Sequence, residues 1–305
     1  MRIRFQKGVT TERGDRMKIG FIGAGKVGFT LGKYIMEHHG CVSGYYSRNE
    51  KSAKEASDFT YTKYYDTIET LVKESDALFL TVPDGAIEDV WNSLKCYSLT
   101  DKLVCHCSGA KTSAVFSEID QVGAFGYSIH PLFAVSSKLQ SYQDISQAYF
   151  TIEGNERYLD YWKSFFEQMG NSVQVIDSKQ KALYHCAAVV SSNLVTGLYN
   201  TAVDMLQECG FEREKAAKAL MPLFLNNACS IAKSGVVDAL TGPIERADIG
   251  TIKQHMEVMS DKYKIIYTEL SKSVIDIAKE KHPDRDYKEI ANFLEGKNET
   301  KNSFS

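Results

Sequence analysis

A glycine motif near the start of the chain constrains the fold more than any other feature. Gly23, Gly25 and Gly28 form G-x-G-x-x-G between the apolar run KIGFI and an amphipathic segment. Glycine triplets also mark ordinary tight turns, but a strand before the motif and a helix after it favour a phosphate-binding loop. Gly23 then permits the turn, Gly25 lets the backbone approach a pyrophosphate, and Gly28 allows the helix to pack closely on the strand.

The helix after the motif would offer unpaired N–H groups and the positive end of its dipole to phosphates. We therefore predict that this loop binds a dinucleotide. The predicted cofactor-binding residues of the loop are Gly23, Ala24, Gly25, Lys26, Val27 and Gly28.

The end of the second predicted strand indicates which dinucleotide is bound. An NAD-binding fold usually places Asp or Glu on the ribose hydroxyls about 20 residues after the motif. Here Ser47 and Arg48 stand in that region, and the first carboxylate is Glu50. Ser47 can hydrogen-bond a 2′-phosphate and Arg48 can pair with it, whereas the alternative is a merely solvated loop arginine. We predict NADP(H) as the cofactor.

Short apolar runs alternate with amphipathic segments as far as about residue 177. Near-continuous apolar runs are typical of parallel strands covered on both faces, and the alternation predicts a Rossmann-like, doubly wound parallel sheet. Beyond residue 177 long helical stretches predict an all-α C-terminal domain. The predicted strands are 18–22, 41–46, 77–82, 103–108, 125–130, 148–153 and 172–177, and the long helices are 179–208, 212–232 and 247–280.

This organisation divides the chain into four predicted segments. They are a flexible extension at 1–16, a dinucleotide-binding domain at 17–178, a helical substrate and dimerisation domain at 179–295, and a disordered tail at 296–305.

Composition excludes several classes of function. The chain is 43% apolar and 25% charged, and its net charge of -3 gives no reason to expect nucleic acid or an anionic membrane as a partner. The stretch 182–203 is nearly free of charge but too polar for lipid, so we expect it to be buried between protein surfaces, as in a homodimer. Seven cysteines without a C-x-x-C pair indicate reduced thiols in a cytoplasmic protein and no metal site.

Candidate functional residues stand at the carboxyl ends of three predicted strands. Val82 ends an apolar run and Pro83 follows it, where Pro83 suits a wall beside the nicotinamide ribose or a simple strand-ending turn. Ser108 ends the next strand. His130 precedes a proline, and it is either a proton donor and acceptor or a buried structural histidine.

Further candidates lie in the helical region. Lys181 begins a helix, with His185 one turn later on the same face, and Ser192 returns to nearly that face with Asn193 beside it. Lys181 can donate a proton only if burial lowers its pKa, and the alternative is a solvated lysine at a helix start.

A Gly-Pro turn later in the chain precedes two more candidates. Arg246 could bind a carboxylate through two parallel N–H bonds of its guanidinium group. Asp248 could also contact substrate, but it stands where it would cap the next helix, which is the simpler interpretation.

Five segments extend these observations to a family. They resemble the Rossmann-like NADP oxidoreductases that carry a helical C-terminal domain of uncertain function, over Lys18 to about Leu294. More distantly similar are ketopantoate reductase, pyrroline-5-carboxylate reductase, 3-hydroxyisobutyrate dehydrogenase and prephenate dehydrogenase. The segments are SDALFLTVPDGAI, HCSGA, SIHPLFAVSS, YHCAAVVSSNL and LTGPIERADIGTIKQH.

The resemblance implies hydride transfer between NADP(H) and a small carbonyl or imine. Prephenate dehydrogenases are similar in carrying a serine at the place of Ser108 and His-Pro at the place of His130, which implies that His130 contacts a substrate hydroxyl while Ser108 orients it or binds substrate. In ketopantoate reductases and 3-hydroxyisobutyrate dehydrogenases a K-x-x-x-N motif opens the corresponding helix, and its lysine protonates the developing alkoxide. Lys181 matches that lysine, whereas His185 replaces the asparagine.

The leading hypothesis is therefore an NADPH-dependent reductase of a small 2-oxo acid, with 2-dehydropantoate (ketopantoate) as the first candidate. An imine reductase and a hydroxy-acid dehydrogenase are alternatives within enzymes. A regulatory, redox-sensing NADP-binding protein without catalysis is the alternative from another class, and it would need none of Lys181, His130 and Ser108.

Overall fold

The computed structural model describes residues 16–296, which form two compact units dividing between Ser191 and Ser192. The predicted extension at 1–16 and tail at 296–305 lie, apart from Arg16 and Gly296, outside the described residues. The predicted domain boundary at 178/179 precedes this division, because the helix that begins at Lys181 belongs to the first unit.

One eight-stranded sheet organises the first unit. In space its order is β3-β2-β1-β4-β5-β6-β7-β8, so the chain winds outward from β1 in one direction and from β4 in the other. This arrangement confirms the predicted Rossmann-like, doubly wound fold. The strands are β1 (Lys18–Ile22), β2 (Cys41–Tyr46), β3 (Lys63–Tyr64), β4 (Ala77–Leu80), β5 (Leu103–His106), β6 (Phe125–Leu132), β7 (Tyr149–Gly154) and β8 (Ser172–Val175).

The sheet is mostly parallel rather than parallel throughout, because β6 and β7 pair antiparallel. Parallel neighbours need a crossover of a dozen or more residues, usually a helix. The connection from β6 to β7 carries no long helix, only the four-residue α5 (Ser141–Asp144) and a 3-10 turn at Ile145–Gln147, and the chain turns back beside β6. In this pair Ser128 stands opposite Glu153, and His130 opposite Thr151.

Apolar residues on both faces of the sheet form two separate cores. One core packs Phe79 against Trp162, and the other contains Leu78 and Trp91. Every residue of β4 and β5 is buried, as the continuous apolar runs predicted. The remaining helices of this unit are α1 (Lys26–Glu37), α2 (Glu50–Thr60), α3 (Ile68–Glu74), α4 (Ile87–Leu94), α6 (Leu159–Gln168) and α7 (Lys181–Ser191).

The second unit is helical, as predicted, but two of the long helices are broken. The helix predicted over 179–208 ends at Ser191, because Ser192 has the non-helical angles φ -128° and ψ -79°. The helix predicted over 247–280 is interrupted at Met259, which is extended. The helices of this unit are α8 (Asn193–Glu208), α9 (Arg213–Ala239), α10 (Ile249–Val258), α11 (Asp261–Lys281) and α12 (Lys288–Leu294).

The range of α9 contains two helices, because Gly235 (φ +79°) leaves helical geometry where the sequence predicted a glycine cap, and a short second helix then runs to Ala239. A small core that includes Ile252, Ile275 and Ile290 joins the later helices. Among residues 16–296, no helix is long and apolar enough to cross a membrane.

Candidate functional site

The glycine loop joins β1 to α1 at the switch point of the sheet, where ligands of such folds bind. Gly23 adopts φ +106°, which L side chains rarely allow, and its N–H donates to the Tyr46 carbonyl at 2.8 Å. A Cβ on Gly28 would lie 2.6 Å from the Gly23 carbonyl oxygen and 2.7 Å from Thr81 Oγ1. Backbone geometry therefore requires glycine at position 23, and close packing requires glycine at position 28.

Gly25 opens this loop to a ligand. It is exposed and caps α1 without a side-chain hydrogen bond, and the first turn of α1 holds no acidic residue. A Cβ on Gly25 would meet only the Thr81 carbonyl oxygen, at 3.8 Å. The first N–H groups of α1 lack intrahelical acceptors, so the loop fits a pyrophosphate.

The residues after β2 fit a 2′-phosphate better than a free ribose hydroxyl. Arg48 is exposed and forms no ion pair with any residue between 16 and 296. Ser47 Oγ accepts a hydrogen bond from the Asn49 N–H at 3.3 Å. Glu50 lies in the first turn of α2 and pairs with Lys54, so the nearest carboxylate is already engaged.

Val82 and Pro83 follow β4 at the same edge of the sheet. Val82 is half-buried and Pro83 is exposed. Because β4 ends at Leu80, both residues lie in the loop, and Val82 does not end a strand as the predicted range 77–82 implied.

Lys181 is the most unusual residue of the first unit. No part of it is exposed, and its Nζ donates to Ser128 Oγ at 2.7 Å. The ammonium group also lies 5.4 Å from the centre of the Tyr184 ring. Burial lowers the pKa of Lys181 to about 8, against the opposing effect of the Glu153 carboxylate. The solvated-lysine interpretation is therefore wrong, and Lys181 can lose a proton near neutral pH.

Glu153 supplies a negative charge close to Lys181. It is buried opposite Ser128 across the β6–β7 pair. Its carboxylate accepts from the Ser113 N–H at 2.7 Å and from the Ser113 hydroxyl at 2.6 Å, so it is satisfied without a direct ion pair.

His130 lies two residues after Ser128, on the same face of β6. Its Nδ1 is 2.7 Å from the Tyr184 hydroxyl oxygen, and the two rings meet edge to face with centres 5.7 Å apart. Burial, and then the charges of Lys181 and His185, lower the pKa of His130 to about 4. The imidazole is therefore neutral at physiological pH.

His185 meets His130 at Gly109. A Cβ placed on Gly109 would lie 2.6 Å from Cδ2 of His185 and 2.9 Å from Nε2 of His130. The absent side chain thus leaves the space in which the two imidazoles converge.

The hydroxyl of Ser108 bonds to Asp84, which follows β4, whereas the resemblance implied a role beside His130 in β6. It donates to Asp84 Oδ2 at 2.6 Å and accepts from the N–H groups of Ala110 and Lys111. Because β4, β5 and β6 are neighbours, Asp84 and Ser108 follow adjacent strands, and Ser128 lies in the next strand, opposite the last residue of β5. The structure thus pairs Ser108 with Asp84 rather than with His130, and the other predicted role of Ser108, substrate binding, stays a prediction.

Four predicted substrate-binding residues belong to the second unit. Ser192 Oγ donates to Asn193 Oδ1 at 3.1 Å at the start of α8, and Arg246 is exposed. Asp248 caps α10, because Oδ1 accepts from the Thr251 N–H at 3.0 Å and Oδ2 from the Thr251 hydroxyl at 2.6 Å. Their contact with a substrate stays a prediction.

Sequence reasoning missed three residues of this site and left Asp84 open. Tyr184 stands three residues after Lys181, a spacing that puts both on one helix face and could have revealed it. Ser128 stands two residues before His130, which is likewise a readable signal. Glu153 carried no such signal, since its place beside Ser128 depends on the register of two strands.

The sheet order and the glycine loop define a dinucleotide-binding α/β protein. Comparison with known domain families finds a Rossmann-like domain over residues 6–131 and the domain of unknown function DUF2520 over residues 148–274. The chain therefore carries a Rossmann-like domain followed by DUF2520, which confirms the pair of domains that the resemblance of its motifs implied.

Solved structures share this fold along nearly their whole length. Protein TM1727 from Thermotoga maritima is 27% identical with a TM-score of 0.67, over 86% of this chain and 98% of that one. The NADP oxidoreductase candidate BF3122 from Bacteroides fragilis is 22% identical (TM-score 0.64; 86% and 98%). A Plasmodium falciparum pyrroline carboxylate reductase with NADP bound is 18% identical (TM-score 0.54; 87% and 98%). No curated protein matches the chain significantly.

Proposed function

We propose that the protein is an NADPH-dependent oxidoreductase that reduces the carbonyl group of a small 2-oxo acid, with 2-dehydropantoate as the leading candidate. The observation that carries the proposal is the fully buried Lys181, held by Ser128 at the sheet edge that also bears His130. A buried ammonium group with a pKa of about 8 is suited to give a proton to an alkoxide near neutral pH.

The cofactor assignment is supported by the glycine loop and by Arg48. Gly25 and the uncapped start of α1 would hold the pyrophosphate, and the unpaired guanidinium of Arg48 would hold the 2′-phosphate. The NADP bound in the Plasmodium reductase of the same fold supports the same cofactor. When bound, NADPH supplies the hydride.

The chain's own residues supply the other requirements of a reduction. Lys181 gives its proton to the oxygen as negative charge develops there, and the carbonyl becomes a hydroxyl. His130 and His185 hydrogen-bond the oxygen and orient it. The positive charge of Lys181 beside a neutral His130 favours a substrate that carries a carboxylate.

Loss of NADPH absorbance on adding 2-dehydropantoate tests this function, with other 2-oxo acids and cyclic imines assayed in parallel. We expect turnover with a 2-oxo acid and none with the imines. NADPH binding without turnover of any of these compounds would contradict the proposal and favour the regulatory protein.

Imine reduction is the second candidate, and one observation favours it. The Asp84 carboxylate, exposed at the same edge and bonded to Ser108, could stabilise a protonated imine. An Asp84→Asn variant should then lose imine turnover while it retains turnover of a 2-oxo acid.

We also propose that the protein forms a homodimer through its helical unit. Met221, Leu223, Phe224 and Leu225 are exposed in succession around α9, which is apolar on more than one face. Light scattering should give twice the chain mass, and Leu223→Glu should reduce it to that of one chain. A single-chain mass for the unaltered protein at micromolar concentration would overturn this proposal.

A further inference from the structure

Tyr184 has no role in the proposed reduction, yet it contacts both Lys181 and His130, which together with Ser128 form the proton-donor cluster. Its ring lies under the ammonium group of Lys181, and its hydroxyl oxygen lies 2.7 Å from Nδ1 of His130. The geometry therefore raises the question of which group donates the hydrogen in the bond between Tyr184 and His130.

The chemistry of the two groups indicates the direction of that hydrogen bond. The Tyr184 oxygen lies 2.7 Å from Nδ1 of His130, and burial raises the pKa of Tyr184, so the phenol keeps its proton. A phenol O–H is a better donor than an imidazole N–H, and a neutral imidazole nitrogen is a better acceptor than a phenol oxygen. We therefore expect the phenol proton to be directed to Nδ1 of His130.

The imidazole of His130 then carries its own hydrogen on the other nitrogen. Burial and the neighbouring charges of Lys181 and His185 keep the ring neutral, so that it holds one N–H only. Since Nδ1 accepts from Tyr184, that hydrogen is on Nε2. Nε2 is the atom that lies beside Gly109, in the space that a side chain there would fill.

We propose that Tyr184 is a positioning residue for His130: its hydroxyl holds the neutral imidazole with the proton on Nε2, and Gly109 lets that nitrogen lie close to the backbone and to His185, where it can donate to the substrate oxygen. Tyr184 acts through His130, and it neither touches the substrate nor transfers a proton to it. The role of the N–H toward substrate rests on the proposed function, whereas the tautomer itself does not.

Nuclear magnetic resonance of the full chain labelled with ¹⁵N-histidine tests the tautomer. A His130→Gln variant identifies the signals of His130. We expect a single neutral tautomer protonated on Nε2 in the unaltered protein, and a mixture of both tautomers in Tyr184→Phe, which keeps the ring. A proton on Nδ1 in the unaltered protein, or an unchanged tautomer in Tyr184→Phe, would overturn the proposal.

Kinetics then test the role in the reaction. Tyr184→Phe should lower kcat about tenfold, as expected for one hydrogen bond, with the KM for NADPH unchanged. The control is Tyr34→Phe, which removes a buried tyrosine hydroxyl bonded to the Met169 carbonyl and Asn171, outside this cluster. Unchanged kcat in Tyr184→Phe despite a mixed tautomer would reject the positioning role. If no substrate is turned over by the unaltered protein, the proposed function fails while the tautomer result stands.

A glycine pair tests the space beside Nε2. Gly109→Ala should shift the ring signals of both His130 and His185 and abolish turnover. Gly197→Ala is its control, since a Cβ there has no neighbour within 4 Å. Unshifted His130 signals in Gly109→Ala would contradict the proposed arrangement.

Discussion

Two regions at one edge of the same sheet differ in how they are built. The glycine loop is one continuous segment between β1 and α1, and its form depends on backbone geometry and on the absence of side chains. The proton-donor cluster combines side chains from β6 and α7, which packing brings together. Substitutions in the loop should therefore change cofactor binding, and substitutions in the cluster should change turnover.

Lys181→Met should show the largest difference between the two regions, because it should lower turnover without changing cofactor binding. It removes the buried ammonium group but keeps similar volume, so the fold should persist. We expect kcat to fall by about 10²–10⁴-fold, as for loss of a general acid, with the Kd for NADPH unchanged. Fluorescence titration and steady-state kinetics measure the two quantities. Lys179→Met, at a neighbouring exposed lysine, is the control and should match the unaltered protein.

In the glycine loop we expect weaker cofactor binding instead, and two substitutions there should differ in their effect on stability. A Cβ on Gly28 would press on the Gly23 carbonyl, so Gly28→Ala should lower the stability of the first unit by about 1–3 kcal/mol and weaken NADPH binding. Gly25→Ala has room for its methyl group and should weaken NADPH binding without loss of thermal stability. Equal unfolding temperatures for the two variants would show that close packing does not distinguish these glycines.

Arg48→Ala should have a smaller and more selective effect. Loss of charged hydrogen bonds to a 2′-phosphate raises the Kd for NADPH by about 10–100-fold, whereas the Kd for NADH should not change. Isothermal titration calorimetry with both cofactors measures this, and Lys54→Ala provides an exposed cation in α2 as control. If both cofactors weaken equally, Arg48 does not contact the 2′-phosphate.

The same difference explains what the sequence could predict. The glycine loop and the buried strands β4 and β5 depend on residues that are neighbours along the chain, so their sequence patterns were sufficient to predict them. The antiparallel β6–β7 pair and the break at Ser192 depend on tertiary packing, and both were missed. The role of Glu153 could not be predicted for the same reason.

The cluster was predicted in part because Lys181 and His130 stand at recognisable places. What joins them, Ser128 and Tyr184, was overlooked although each lies within one turn or one strand period of a predicted residue. Of the two roles predicted for Ser108, orienting His130 is not observed, because the loop after β4 brings Asp84 to the serine hydroxyl, and substrate binding stays a prediction.

Alkaline pH should separate the two regions in the unaltered protein, with a change of about tenfold per pH unit. Lys181 has its pKa lowered from 10.5 to about 8, and only the protonated amine can donate, so kcat should fall above pH 8 while NADPH binding stays constant. Between pH 8 and 10 the unfolded chain keeps on Lys181 the proton that the folded chain has lost. The free energy of unfolding should therefore rise with pH in that window. Turnover that falls while stability rises indicates titration of Lys181, whereas partial unfolding would lower both. In Lys181→Met that pH-dependent gain in stability should disappear, and its persistence there would assign the titration to another group.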